Sequence, residues 1–150
     1  MLLRVLVLPG DGVGPEVTSE AVAVLERAAA VFGHQLETSC AAIGGAAIEA
    51  EGVPLPEATA RAAEEAPATL LGAVGLPRFD HLPPERRPER GLLDLRRRLG
   101  VFANLRPSRS WPSLVGASPL KNAVVEGTDL VFVRELTSGL YYGTPRGIEG

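Results

Sequence analysis

The apolar positions of this chain change period along its length. Leu3 to Leu8 is a short apolar run closed by Pro9-Gly10, which predicts a strand buried on both faces. Pro15 suits the first turn of a helix, where its missing N–H costs nothing. Val17, Ala21, Val24, Leu25, Ala28 and Val31 then recur at helical spacing to about Phe32, and Gly33 ends the helix. Gln35 to Ala42 has a weaker strand pattern, and Pro56 to Glu65 reads as a helix opened by proline. Thr69 to Val74 is a second buried strand, closed by Gly75-Leu76-Pro77. Strand, helix, strand, helix, strand in this order predicts an α/β layer on a parallel sheet. A loop rich in proline and charge, Arg78 to Pro88, leads to a helix at about Glu89 to Leu99. Val101 to Leu105 and Leu130 to Val133 read as further strands, and Trp111 to Ala117 as connection. The chain has no internal repeat and no low-complexity segment.

Composition narrows the classes. The chain has 150 residues, enough for one domain with a core. A net charge of -3 argues against a dedicated nucleic-acid binder, which carries a basic domain. Cys40 is the single cysteine, so there is no disulfide framework and no cysteine metal cluster; a reducing compartment and a structural thiol are expected. The opening MLLRVLVLPGDG lacks the basic region and cleavage site of a signal peptide. No apolar run approaches the length of a membrane span. The predicted location is cytoplasmic, with no membrane partner. After Tyr141-Tyr142-Gly143 the sequence runs through Thr-Pro-Arg-Gly with no helix to cover the last apolar segment. An uncovered sheet edge or face is avoided by folded proteins, so a longer parent chain is expected.

Several residues carry candidate chemistry. GDGVGP, Gly10 to Pro15, sits between a strand and a helix, where a dinucleotide-binding turn would lie. The fingerprint needs a glycine at its sixth position, and Pro15 stands there. The other reading is a tight turn whose glycines let the backbone pass close to a neighbour. Glu37, near the end of the second strand, does not by itself corroborate a ribose site.

Glu89, Leu92, Leu93 and Arg96 fall at i, i+3, i+4 and i+7 and share one helix face, with Leu95 and Leu99 on an adjacent stripe. Such a face suits the wall of a pocket for a ligand with an apolar arm and an acidic group. Equally, Glu89 and Arg96 are rim charges beside a leucine core. Arg97 and Arg98 point elsewhere and are predicted to be solvated. Arg106, before Pro107, and Arg134, after LVFV, are read as strand-end arginines, where α/β enzymes bind ligands. A guanidinium holds a carboxylate by two charge-assisted bonds, each contributing roughly 1.5–3 kcal/mol net. Three convergent arginines would therefore hold a dicarboxylic acid; separate surface ion pairs are the alternative. Tyr141 is either a general acid or base tuned by nearby positive charge or half of an aromatic strand pair with Tyr142. His34 sits in a turn and His81 in the proline-rich loop, and no carboxylate cluster has metal-ligand spacing.

Five blocks, LPGDGVGPEV (8–17), IGGAAIEAEGVPLP (43–56), LLGAVGLP (70–77), RPERGLLDLRRRLGVFANLRP (87–107) and VRELTSGLYYGTPRG (133–147), identify a resemblance over essentially the whole chain. The chain resembles the N-terminal part of the isocitrate/isopropylmalate dehydrogenase family of β-decarboxylating dehydrogenases. GLLDLR with FANLRP resembles the isopropylmalate branch. The resemblance implies that family's layered α/β fold, here an incomplete N-terminal fragment with a parallel sheet core. Residues 1–100 would begin a discontinuous cofactor-side domain, and 101–150 would open the substrate and dimerisation domain.

The implied activity is NAD-dependent oxidative decarboxylation of 3-isopropylmalate to 2-oxo-4-methylpentanoate, a step of leucine biosynthesis, with Mg²⁺ or Mn²⁺. By the same resemblance Arg96, Arg106 and Arg134 bind the malate carboxylates, and Leu92 with Leu93 meets the isopropyl group. Tyr141 matches the tyrosine that protonates the enolate after carbon dioxide leaves. The cofactor-lining segment corresponds to Leu76, Pro77, Arg78, Phe79, Asp80, His81, Leu82, Pro83, Pro84, Glu85, Arg86, Arg87, Pro88 and Glu89, with Glu89 between substrate and nicotinamide. A homodimer is implied, without a nucleic-acid partner. Two departures stand out. Leu76 replaces a usual glycine, where a side chain could crowd the cofactor loop. The family's lysine, metal-binding aspartates and most of its adenosine loop lie beyond residue 150, so the 150 residues alone are expected to be inactive. Tartrate/D-malate, homoisocitrate or isocitrate chemistry, or a non-catalytic remnant, are the alternatives.

Overall fold

The computed structural model of the chain describes residues 1–136. Its chain contacts divide it into two units, Met1–Gly100 and a second that begins at Val101.

In the first unit, β1 (Leu2–Gly10) is the middle strand of a parallel sheet, flanked by β2 (Gln35–Cys40) and β3 (Thr69–Ala73). Val5 stands beside Thr38 on one side, and Leu8 beside Leu71 on the other. Side chains alternate across a strand. Leu6 and Leu8 enter the main core with Ile43, Ala63 and Leu95. Helix α1 (Gly14–Val31) packs against all three strands. On the connection from β2 to β3 lie α2 (Gly45–Glu51) and α3 (Glu57–Glu65); α3 packs against α4 (Pro88–Arg98).

The helix face that α1 buries differs from the one its valines predict. Thr18 and Ala29 are buried, and Ala21, Val22 and Ala28 are half-buried, whereas Val17, Val24 and Val31 are exposed. The reason lies at the first turn. The Gly14 backbone passes against the Pro9 carbonyl and β3, and a Cβ at Gly72 would collide with the Thr18 hydroxyl. This close approach admits only small side chains on the contacting face, and that fixes the rotation of the whole helix.

Helix α2 has no counterpart in the sequence pattern. It opens at Gly44-Gly45, residues that weaken helices, and none of its own side chains caps it. Its N-terminus is satisfied instead by Asp11, distant in sequence.

In the second unit, β4 (Ala103–Arg109) and β5 (Asp129–Glu135) form an antiparallel ribbon. A 3₁₀ turn, Pro112–Ala117, and the single-turn helix α5 (Asn122–Val125) join them. β4 runs through Pro107 to Arg109, four residues beyond the predicted strand. Proline lacks a donor, but among the described residues both strands of this ribbon are edges, and an edge tolerates it.

Candidate functional site

The glycine turn after β1 is built for close packing. Gly10 has φ +74°, and a Cβ there would collide with the Ala73 carbonyl. The Asp11 N–H donates to that same carbonyl at 2.6 Å. The Asp11 side chain points inward and is 4% exposed. Its carboxylate accepts from the Gly45 and Ala46 N–H groups at 2.8 Å each, and from the Gly75 N–H at 2.9 Å. One carboxylate thus ties together the turn after β1, the start of α2 and the exit of β3. This agrees with the tight-turn reading of GDGVGP. Sequence reasoning missed the hub; its only signal was an acid between two glycines of a turn.

Beyond Gly75 the proline-rich segment is pinned by Phe79, Arg78, Arg87 and Pro88. Phe79 is buried and stacks so closely on Gly45 that a Cβ there would collide with the ring. Arg78 lies over the Phe79 ring at 5.0 Å and pairs with Glu49 at 2.6 Å. Arg87 folds back, donating from Nε to the Leu82 carbonyl at 2.9 Å and from Nη2 to the Asp80 carbonyl at 2.6 Å. Pro88 is fully buried at the first turn of α4. Leu76 and Leu82 are half-buried, and the Leu76 side chain lies over Gly12. Pro77, Arg78, Asp80, His81, Pro83, Pro84, Glu85, Arg86 and Glu89 are exposed. The Glu89 carboxylate lies where a Cβ on Gly75 would point, and the Gly75 φ of +118° is one that a residue with a side chain rarely adopts.

The arginines of α4 separate into two groups. Arg90 pairs with Asp94 at 2.9 Å, and Arg97 with the same carboxylate at 3.3 Å. Arg98 reaches α3, binding Glu57 at 2.8 Å and Glu64 at 2.9 Å. Arg98 is therefore not simply solvated: it fastens one helix to another. The hydrogen bond from Arg98, then that from Arg61, holds the Glu57 carboxyl below its ordinary range, and Glu57 in turn raises Arg98. Arg96 is half-buried and has no hydrogen bond or ion pair among the described residues. Leu95 is in the core and Leu99 packs against it. Leu92 is half-buried beside them, while Leu93 and Glu89 are exposed. The mixed face is open on its unit.

In the second unit the register corrects the position of Arg106. It stands mid-strand, opposite Phe132, while Arg134 is one residue from the end of β5, opposite Asn104. Directly opposed residues share a face. Asn104, Arg106, Phe132 and Arg134 therefore lie on one side of the ribbon. Arg106 and Arg134 are diagonal neighbours, a separation of about 7–8 Å that is somewhat less between Cβ atoms and within reach of long side chains. That spacing suits two guanidinium groups reaching one small polyacid. Leu105, Pro107, Val131 and Val133 occupy the other side. Tyr141 lies outside the described residues. Among the described residues no group of three His, Cys, Asp or Glu side chains is placed to hold a metal ion, so none is assigned to one.

A family model for isocitrate/isopropylmalate dehydrogenases matches residues 4–150. The chain is 50% identical over 145 residues to the 3-isopropylmalate dehydrogenase of Aquifex aeolicus, covering 97% of this chain and 40% of that enzyme. It is 56% identical over 147 residues to the same enzyme of Thiobacillus denitrificans, covering 98% and 41%. Among solved structures, an isocitrate dehydrogenase from Methylococcus capsulatus matches with a TM-score of 0.70 at 29% identity, covering 99% of this chain and 39% of that one. A β-decarboxylating dehydrogenase from Thermococcus kodakarensis matches at 0.66 and 30% identity, covering 99% and 38%. The chain thus spans about 40% of the length of the curated relatives it matches.

Proposed function

Since the chain belongs to the isocitrate/isopropylmalate dehydrogenase family, we propose that it is the N-terminal part of an NAD-dependent 3-isopropylmalate dehydrogenase, with units matching the first and second domains of that enzyme. The observation that carries the substrate is the state of Arg96. It is the α4 arginine without a partner among the described residues, and it adjoins half-buried Leu92 and exposed Leu93. A carboxylate at Arg96 and a branched alkyl group at Leu92 and Leu93 use both halves of this face. Arg106 and Arg134 on one ribbon face supply the positive charge that a second carboxylate needs.

In this reading the arginines fix the malate so that its C2–H faces the cofactor. NAD supplies the hydride acceptor, and loss of carbon dioxide from the resulting β-keto acid leaves an enolate. Tyr141 protonates that enolate. The loop Leu76 to Glu89 lines the nicotinamide side, where exposed His81 and Arg86 offer polar and cationic groups to an anionic dinucleotide. The full enzyme is proposed to use Mg²⁺ or Mn²⁺, to form a homodimer and to be cytoplasmic. No described helix is long and apolar enough to cross a membrane.

The test is NADH formation by the complete gene product with Mg²⁺ and, in parallel, 3-isopropylmalate, D-malate and isocitrate. Turnover of 3-isopropylmalate with the highest kcat/KM is expected. Preference for D-malate or isocitrate would overturn the substrate, and inactivity on all three would overturn the enzyme.

A further inference from the structure

Arg87 stands at the entrance of α4, yet its side chain turns back into the loop it closes. The loop has a short 3₁₀ turn at each end, Pro77–Phe79 and Pro84–Arg86. The first is anchored by buried Phe79. Between the turns, Asp80 to Pro83 lies in no helix or strand, and its backbone is tied by turn bonds from the Asp80 and Leu82 N–H groups to the Pro77 and Phe79 carbonyls. The Arg87 fork spans this gap, taking the carbonyls of Asp80 and Leu82 at 2.6 and 2.9 Å. Its Nε and Nη2 are thereby engaged inside the loop, while the side chain of His81, between the two carbonyls, is exposed.

We infer that Arg87 is a positioning residue for the cofactor loop. Its guanidinium fixes the Asp80–Leu82 backbone so that the His81 surface meets the dinucleotide already ordered, and it does not itself contact the ligand. This rests on the proposed NAD-dependent activity. A loop that must be ordered during binding weakens affinity for whatever it contacts, without altering the reacting groups. The planar fork matters more than the charge, because an ammonium on a flexible stem does not reproduce two donors at fixed spacing.

The experiment compares R87K and R87M in the complete gene product, reading KM for NAD, KM for 3-isopropylmalate, kcat and Tm. Calorimetric titration with NAD alone accompanies them. Both variants should raise KM and Kd for NAD about tenfold, the cost of ordering a short backbone segment on binding. Saturating kcat, KM for 3-isopropylmalate and Tm should hold. An R87K enzyme with normal NAD affinity, or much closer to normal than R87M, would overturn the inference, because charge alone would then suffice. A drop in Tm with unchanged NAD affinity would also overturn it, leaving a purely structural role. R87K, which keeps the charge and the stem, carries the test if R87M does not fold. Calorimetry separates the two levels: wild-type protein that binds NAD but makes no NADH from any of the three acids defeats the activity, and the Arg87 comparison still reads out.

Discussion

Asp11 lies in a turn that resembles a dinucleotide loop, but its carboxylate points inward to three backbone donors. Asparagine cannot satisfy three donors, because its amide nitrogen presents hydrogens to one of them. D11N should therefore cost about 2–4 kcal/mol in urea unfolding of the complete protein, since each charged hydrogen bond contributes roughly 1.5–3 kcal/mol. A loss below about 0.5 kcal/mol would remove the hub from the account. Glu57 gives a pH signature. Its folded carboxyl titrates below the ordinary 4.5, first because of Arg98 and then Arg61. Its stabilisation is thus present above that ordinary value and fades as pH falls through the lowered one. E57Q should flatten the acid limb of a Tm–pH curve below about pH 4.5. The difference from wild type should shrink in high salt, because the pair is exposed. An identical acid limb in both proteins would count against the pairing. Arg96 differs from its neighbours in kind. R96Q should lower kcat/KM for 3-isopropylmalate at least about 100-fold through lost carboxylate bonds, whereas R97Q should stay within about threefold, its side chain being an exposed i,i+3 partner of Asp94. Equal losses in both would undo the assignment. Helical spacing already set Arg96 beside Leu92. The cross-helix bonds of Arg98 were not legible, because Glu57 and Glu64 lie 41 and 34 residues away.

Elements were legible where their own pattern forms them. β1, β3, α3 and α4 follow their apolar periods to within a residue or two. α2 did not, because its start is stabilised by a carboxylate from another loop. The buried face of α1 did not either, because backbone contact with β3 selects small residues over the more apolar valines. The end of β4 was misplaced for a local reason: Pro107 looks like a stop, yet an edge strand passes through it. Gly91 sets two element-level effects against each other. In an ordinary exposed helix, glycine to alanine stabilises by about 1 kcal/mol. Here the helix is pressed against α3's approach, and a Cβ at Gly91 would collide with the Pro54 carbonyl, a backbone atom with little freedom to yield. Overpacking of this kind costs typically about 1–3 kcal/mol. G91A should therefore lower the stability of the complete protein despite its better helix propensity. A raised midpoint in urea would show that the α4 contact relaxes more easily than its backbone suggests.

Over the whole chain, what the sequence conveyed best was order: parallel strands separated by helices. What it could not convey is which surfaces a longer parent chain would cover. Among the described residues, α1 exposes Val17, Val24 and Val31, and the ribbon exposes Leu105, Val131 and Val133 on one face and Leu130 and Phe132 on the other. Exposed apolar side chains scattered singly are ordinary, but runs along a helix stripe and both faces of a two-stranded ribbon are not. A ribbon alone is at best marginally stable in water, and three strands or a packed helix are needed to hold it. The relatives are about two and a half times longer, since the aligned segment makes up only 40–41% of them. Residues 1–150 expressed alone should therefore bind a hydrophobic dye such as ANS, self-associate on gel filtration and melt without a sharp transition. Co-expression with the C-terminal remainder of the Aquifex aeolicus enzyme should suppress dye binding if the exposed stripes are surfaces that such a remainder buries. A monomeric, dye-silent fragment with a cooperative melt would show instead that the two units satisfy their own apolar surface, and that the exposed valines are no mark of a missing neighbour.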